Sequence, residues 1–438
     1  MVEYHLAKVD VGGSNPLARS TFKQQKILSS SLGIFLNDKL RSLRFYDKGF
    51  SMIYDFTYFN PTKIYFGKNA LANLDGELKN YGKNILLLYG KNAIKQIGLY
   101  DEIIATLNAC GKNIVELAGI NANPRYSQVL EGARLVRENK IDLILAVGGG
   151  SVVDCAKAIS VSAYAEGDPW QRYWIDFEPV NNPIVPVGTV LTMAGTASEM
   201  NGGSVITHEE KIIKAGRVFP PEVNPKFSVL NPEFTYSVPK LQMVSGIFDI
   251  FSHLLEQYFS GTDDNTTDYL IEGVLESLIN SARVAIKNPT DYETRSNIMW
   301  CATLALNTVT GLSKTQDWEV HMIEHQLGAY TDCPHGLGLA VISVPYYKFI
   351  YKYGLPKFVR FAKKIWNVES DGKMDEEIAL AGIDALAAFI RELGIPSSLR
   401  ELGATEAMLP EIARTTVKGG GYKKLSESDI LAILRACY

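Results

Sequence analysis

Cysteine is scarce in this chain. There are five in 438 residues, at positions 110, 155, 301, 333 and 437, with no Cys-x-x-Cys spacing. An odd, scattered set argues against a disulfide framework and a thiolate zinc site, and for a reducing, cytoplasmic compartment. Excess positive charge is lacking too. Lys and Arg number 44 against 48 Asp and Glu, a formal net charge of −4, with a pI of about 6.0. With no basic tail or basic-aromatic stripe, nucleic acid is not expected as a partner. No apolar run is long enough to span a bilayer, so no membrane partner is expected either. Mean hydropathy is −0.01, ordinary for a globular chain. Histidine is rare as well, six in all, yet three fall in one stretch, Asp317–His335.

That stretch reads DWEVHMIEHQLGAYTDCPH. His321 and His325 stand at i and i+4, so a helix turns both imidazoles to one side. Gly328 and Pro334 predict a helix end, with His335 just past it. Upstream, Asp249 and His253 repeat the i, i+4 spacing. One such pair is as readily chance, because spacing alone is weak evidence. Two pairs that use most of the histidines, plus one histidine after a turn, can converge on a single ion. Imidazoles with one carboxylate suit zinc or iron(II), not calcium or magnesium.

Residues 1–51 differ from the rest of the chain. They lack clear periodicity, are basic and acid-poor between Arg19 and Arg44, and carry Gly-Gly-Ser at 12–14. They read as a leader outside the fold, either an artefact ahead of a true start at Met52 or a targeting peptide. From 52 to 237, strands alternate with helices. Short strands are expected at Tyr54–Tyr58 and Lys63–Phe66, and apolar ones at Asn84–Tyr89, Asn113–Leu117, Asp142–Val147 and Ile184–Val187. This pattern predicts a Rossmann-like α/β domain, a parallel sheet covered on both faces that binds a dinucleotide. Past Pro239 only helical periodicity remains, with helices expected at Leu241–Phe259, Tyr292–Thr310, Trp318–Tyr330 and Leu339–Tyr351 among others. Residues 238–438 therefore read as an all-helical, metal-binding domain.

Gly148–Ser151 lies between the clearest buried strand and a small-residue helix. Glycines let a backbone approach a phosphate, and the N–H groups of a helix start favour an anion. A tight turn needing glycine for steric reasons would look the same, but ligands of open α/β sheets bind at the carboxyl ends of strands. Gly90-Lys91-Asn92 also follows a strand. It offers no carboxylate for a ribose 2′-hydroxyl, and Lys91 is available to a 2′-phosphate, which predicts NADP(H) over NAD(H). A solvated turn lysine is the plainer alternative. Leu191–Asn201 is dense in hydroxyls (Thr192, Thr196, Ser198), which can bind a ligand or satisfy their own turns.

Taken together, GGGSVVDCAK, LTMAGTASEMN, Asp249-x-x-x-His253-x-x-Glu256 and QDWEVHMIEHQLGAYTDCPHG resemble the iron-containing (group III) alcohol dehydrogenase family. Within it they look most like the NADPH-dependent butanol dehydrogenases and broad aldehyde reductases. The resemblance covers Met52 to the C-terminus. It implies a dehydroquinate synthase-like architecture, hydride transfer between NADP(H) and small aliphatic aldehydes or primary alcohols, and a homodimer. It implies that Asp249, His253, His321 and His335 bind the metal, iron(II) ahead of zinc, and that His325 is catalytic without being a ligand. On the cofactor side it implies Gly149, Gly150, Ser151 and Asp154, together with Asn123, Thr192, Thr196, Asn201 and Lys214. Where relatives have a second threonine, this chain has Met193.

A different class also fits part of the pattern. His321-Met-Ile-Glu324-His325 matches H-x-x-E-H, in which both histidines bind zinc and the glutamate is the general base of a metallopeptidase. That reading leaves the glycine turn and the α/β half without a purpose. A nucleotide-binding protein without catalysis is a third reading, against which the full ligand set argues.

Overall fold

The computed structural model describes residues 53, 55–261 and 265–438. The expected leader, 1–51, lies outside them. Six strands form one parallel sheet in the order β1-β8-β5-β4-β2-β3. They are β1 (Lys63–Phe66), β2 (Asn84–Tyr89), β3 (Asn113–Leu117), β4 (Leu143–Gly148), β5 (Val187–Leu191) and β8 (Phe227–Leu230). Alternation within the strands explains the helices on both faces. Leu86, Leu88, Ile144 and Ala146 enter one buried cluster, while Ile85, Leu87, Leu143 and Leu145 enter the other. A strand buried on both sides needs an apolar residue at every position, which is how β2 and β4 read.

The order of strands reverses between β2 and β4. From β2 the chain goes outward to β3, then returns to β4 on the other side. Such a switch point opens a crevice at the carboxyl ends of the two strands. Gly148 ends β4 there, and Tyr89 of β2, just before Gly90, pairs with Val147.

Two expectations about strands are corrected. Tyr54 lies outside the described residues, and Asp55–Tyr58 are exposed and belong to no strand. β1 is the sheet edge and, among the described strands, pairs only with β8, so the segment before it leaves the outer edge of β1 unpaired. The strand expected at Ile184–Val187 begins only at Val187. Pro183 and Pro186 flank the earlier residues, and proline has no N–H to give a ladder.

A two-stranded antiparallel hairpin, β6 (Gly203–His208) and β7 (Ile213–Val218), stands apart from the main sheet. It is not among the expected strands. The remainder of the chain is helical from Lys240 onward, around one large apolar cluster. The Leu355–Trp366, Asp375–Leu393 and Glu427–Ala436 helices lie where helical periodicity puts them.

Candidate active site

The 19-residue helix Lys240–Tyr258 carries Asp249 and His253 one turn apart. The helix Glu319–Thr331 carries His321 and His325. It runs past Gly328 and ends at Asp332, in the left-handed region at φ 55°. His335 opens the next helix, His335–Ile350, with Pro334 as its N-cap. Glycines let these elements close on one another. A Cβ on Gly336 would stand 1.9 Å from the Ser245 carbonyl, and one on Gly246 would stand 2.2 Å from that of Ala194. The first contact brings His335 to the Asp249 helix. The second brings that helix against the Leu191–Asn201 loop, where Met193 packs beside Gly246.

Four side chains meet as a result. Asp249 Oδ1 lies 3.4 Å from His253 Nε2, 3.8 Å from His321 Nε2 and 3.7 Å from His335 Nε2. Donors about 2.1 Å from a shared tetrahedral centre stand roughly 3.4 Å apart, so the spacing suits an ion better than direct hydrogen bonds. Asp249 Oδ1 and His321 Nε2 are buried with no hydrogen-bond partner. Behind them, Glu256 bonds His321 Nδ1, and Glu324 bonds His335 Nδ1. A carboxylate on the far nitrogen fixes the ring and leaves the near nitrogen for a metal. Lys214, from β7, reaches Glu324 Oε2 at 3.1 Å and His335 Nδ1 at 3.5 Å. Asp249, Glu256 and Glu324 are buried against one buried ammonium, that of Lys214. A net negative charge remains even with His321 protonated. It is −2 when ligation of an ion leaves every imidazole neutral, and uncompensated buried charge is costly. A divalent cation cancels it. By spacing, orphaned atoms and charge, the residues fit such an ion.

The electrostatics follow from burial and neighbours. Burial raises the Asp249 carboxyl, but the His253, His335 and His321 imidazoles outweigh it and hold it at about 2. Burial draws His253 down to about 4. In His321 burial also lowers, but the Glu256 and Asp249 carboxylates override it and push it up to about 10. Burial, then Lys214 and His335, hold His325 well below the usual imidazole range. His325 is therefore neutral,.

A cavity of about 250 Å³ joins these histidines to the α/β half. Asn123, Ser151, Asp154, Thr196, Asn201 and Lys214 line it, as do His325 and the four clustered side chains. Several are already engaged. Asn123 donates to Asp332 Oδ1 at 2.8 Å, and Ser151 Oγ donates to the Ala122 carbonyl. Asp154 accepts from Ser198 Oγ and from the Val205 N–H, and Asn201 Oδ1 accepts from the Gly203 N–H and Lys157. Gly149 is the N-cap of the helix Gly150–Ser162, whose first N–H groups have no partner within the helix. A Cβ on Gly150 would stand 2.2 Å from Thr196 Oγ1, so glycine is required there for packing as well. This turn at the switch point fits the phosphates of a dinucleotide. Gly90, Lys91, Asn92, Gly149, Gly150 and Thr192 are not part of the cavity wall. Gly90–Asn92 follow β2, the strand beside β4, and Asn92 caps the short helix Ala93–Gln96.

Sequence reasoning missed the link from Lys214 to Glu324 and the part of the wall formed by Leu306, Thr308, Gln316 and Trp318. The β-branched run Val205-Ile206-Thr207 was the available signal for the hairpin that carries Lys214,. The metallopeptidase reading finds no support. His321 turns to Asp249, the His325 ring lies 6.3 Å from that of His321, and Glu324 is engaged by His335 and Lys214.

Comparison with known proteins agrees with this geometry. The family model described as "Iron-containing alcohol dehydrogenase" matches residues 61–232. That for "Fe-containing alcohol dehydrogenase family, C-terminal" matches residues 243–438. The chain is 42% identical over 386 residues to the probable NADH-dependent butanol dehydrogenase 1 of Bacillus subtilis (strain 168), covering 87% of this chain and 99% of that protein. It is 35% identical over 388 residues to the NADPH-dependent aldehyde reductase YqhD of Escherichia coli (strain K12), covering 88% and 98%. The crystal structure of NADH-dependent butanol dehydrogenase A from Thermotoga maritima superposes with a TM-score of 0.84 at 34% identity, covering 89% of this chain and 100% of the other.

Proposed function

The chain belongs to the iron-containing alcohol dehydrogenase family, and we propose that it transfers a hydride reversibly between NADP(H) and small aliphatic aldehydes, giving primary alcohols. The observation that carries this reading is the convergence of Asp249, His253, His321 and His335 beside a cavity shared with the glycine-turn helix. We assign those four as the metal ligands, iron(II) ahead of zinc because of the family. When bound, a divalent ion supplies Lewis acidity toward a carbonyl oxygen. Glu256 and Glu324 orient His321 and His335, and Lys214 holds Glu324. His325, as a neutral imidazole, hydrogen-bonds the substrate oxygen or the nicotinamide amide and hands on the proton that the new alcohol needs. Residues 52–237 hold the hydride donor and 238–438 activate the acceptor, which gives two unlike halves one reaction.

NADPH over NADH is the finer part of the proposal. Gly90-Lys91-Asn92 holds no acid and Lys91 is exposed. On the adjacent strand, Glu116 is taken by the Tyr89 and Tyr100 hydroxyls. Relatives named for each cofactor match along nearly their whole length, the probable NADH-dependent butanol dehydrogenase 1 at 42% identity and the NADPH-dependent aldehyde reductase at 35%, so the preference for NADPH is proposed from these strand-end residues alone. Five unpaired cysteines support a cytoplasmic location,; no helix among the described residues is long and apolar enough to cross a membrane. A homodimer is supported by the edge position of β1 and by exposed Phe56, Tyr58, Phe59 and Phe66 around it,. Sedimentation at micromolar concentration checks it, and a monomer alone would contradict it.

The test of the reaction is steady-state kinetics with both cofactors over a series of straight-chain aldehydes, metal supplied. Turnover with a higher kcat/KM for NADPH is expected. Equal or better kcat/KM with NADH refutes the cofactor preference, and no turnover with either refutes the reaction.

A further inference from the structure

Four of the ten non-glycine residues with positive φ among the described residues lie close together in the segment between Leu306 and Glu319. They are Thr308 (φ 81°), Ser313 (62°), Gln316 (53°) and Trp318 (68°). For a residue as bulky as tryptophan this conformation is a true outlier and is strained. Such strain persists only where the surroundings over-determine it, and here they do. Asp317, fully buried, donates its N–H to the Glu256 carbonyl and accepts from Tyr346. The Trp318 carbonyl takes the Met322 N–H at the start of the histidine helix. The Trp318 indole N–H donates to Gln316 Oε1 at 2.7 Å, and Gln316 Nε2 in turn donates to the Gly311 carbonyl. The indole is fixed from both its backbone and its rim.

Its position is specific. The indole stands edge-on to the His321 ring at 5.3 Å and 78°, and to the His253 ring at 6.0 Å and 62°. It is half-buried and forms part of the cavity wall with Leu306 and Met322. Two proposed ligands thus share a rigid, apolar wall with three side chains that make no polar demand on a substrate. A carbonyl oxygen directed to the histidines would carry its alkyl chain along that wall.

We propose that Trp318 is the specificity-determining residue of this enzyme, and that its indole limits the substrate to unbranched aliphatic aldehydes. Gln316 is the positioning residue that keeps the ring in place. The inference rests on the alcohol dehydrogenase reading and adds the shape of the substrate to it. Branching at the carbon next to the carbonyl, or a phenyl ring there, meets the indole. A straight chain lies flat on it.

The test uses Trp318→Gly and Trp318→Phe in the full, metal-loaded chain. Glycine opens the wall and accepts the positive φ without strain, so the fold is expected to survive. Phenylalanine keeps a ring. The measured quantity is the ratio of kcat/KM for butanal to that for 2-methylpropanal and for benzaldehyde. Trp318→Gly is expected to lower both ratios tenfold or more, Trp318→Phe to stay within a few-fold of the wild type, and metal content by mass spectrometry to be unchanged in both. An unchanged ratio in Trp318→Gly overturns the proposal. So does a change confined to the KM for NADPH, which would make the indole a wall for the nicotinamide. Binding of butanamide against 2-methylpropanamide, followed by calorimetry, reads the same discrimination without turnover. A wild type that reduces no aldehyde refutes the alcohol dehydrogenase reading, and the amide ratio then decides on Trp318 by itself.

Discussion

Replacing Gly336 by alanine is expected to dismantle the metal site while leaving all four proposed ligands in the chain. An alanine Cβ at 336 would stand 1.9 Å from the Ser245 carbonyl oxygen, 1.5 Å short of the 3.4 Å at which ordinary contact begins. Neither side yields cheaply. Ser245 lies in the Lys240–Tyr258 helix, one turn before Asp249, and Gly336 adjoins His335 at the start of its own helix. Most of the shortfall therefore becomes a separation of the Asp249 helix from His335. A ligand set tolerates about 0.2 Å, so His335 is lost as a ligand. Intrinsic propensity works the other way, since alanine is favoured over glycine inside a helix by about 1 kcal/mol. Any destabilisation must come from the clash, for which about 1–3 kcal/mol is typical. Competition with a chromophoric chelator is expected to show metal affinity down at least tenfold, about 1.4 kcal/mol. The metal-induced rise in Tm should shrink with it. A Gly336→Ala protein that binds metal as tightly as the wild type would refute the argument that this close approach assembles the site.

His325→Ala is expected to lower kcat by about 100-fold or more with metal content intact by elemental analysis; equal loss of metal would make His325 a ligand. Lys157 is fully buried, its ammonium on the Ser198 and Asn201 carbonyls, and burial draws it from 10.5 down to about 8. The unfolded chain then binds the proton more tightly, so stability rises with pH between about 8 and 10.5, by about 3 kcal/mol in all. Tm against pH, with Lys157→Met subtracted as the control, should show that slope, and identical slopes would contradict it. A chain started at Met52 is expected to match the full chain in kcat/KM and Tm; a large drop in either would show that residues 1–51 take part.

What could be read in advance was whatever depends on local period. The pairs Asp249/His253 and His321/His325 follow from 3.6 residues per turn, and β2 and β4 follow from unbroken apolar runs. Helix ends were harder. Periodicity carries the helix that begins at Tyr292 through Thr310, yet it stops at Ala305. Partners distant in sequence or beyond the helix end decide this. Gln257 Nε2 and Thr310 Oγ1 both take the Ala305 carbonyl, and Thr310 also reaches that of Leu304. Side chains thus cap the last turn and release the chain into the strained loop that carries Gln316 and Trp318. No pattern between 292 and 310 contains Gln257.

The ligands differ from the residues that hold them in how far their placement follows from local period. Glu256 and Glu324 stand out in sequence as candidate partners of the histidines, because each lies within one turn of a proposed ligand. Their pairing is crossed, however. Glu256, on the Asp249 helix, bonds His321 on another helix, and Glu324, on the His321 helix, bonds His335 on a third. Each carboxylate therefore ties two elements together as well as orienting a ring. Lys214 adds a tie from the hairpin of the α/β half to Glu324, 110 positions away. Removing Lys214 leaves Glu324 with His335 as its remaining partner and raises the buried negative charge around the site,. The metal side and the cofactor side are thus joined through charges that an ion would balance, and ion affinity and closure of the cleft share one set of contacts. Lys214→Met adds one to the buried negative charge beside the site and should therefore tighten metal binding, although Lys214 touches none of the four donor atoms directed at the ion,. The chelator competition used for Gly336→Ala measures this directly, and an unchanged affinity would show that the hairpin and the metal site act independently.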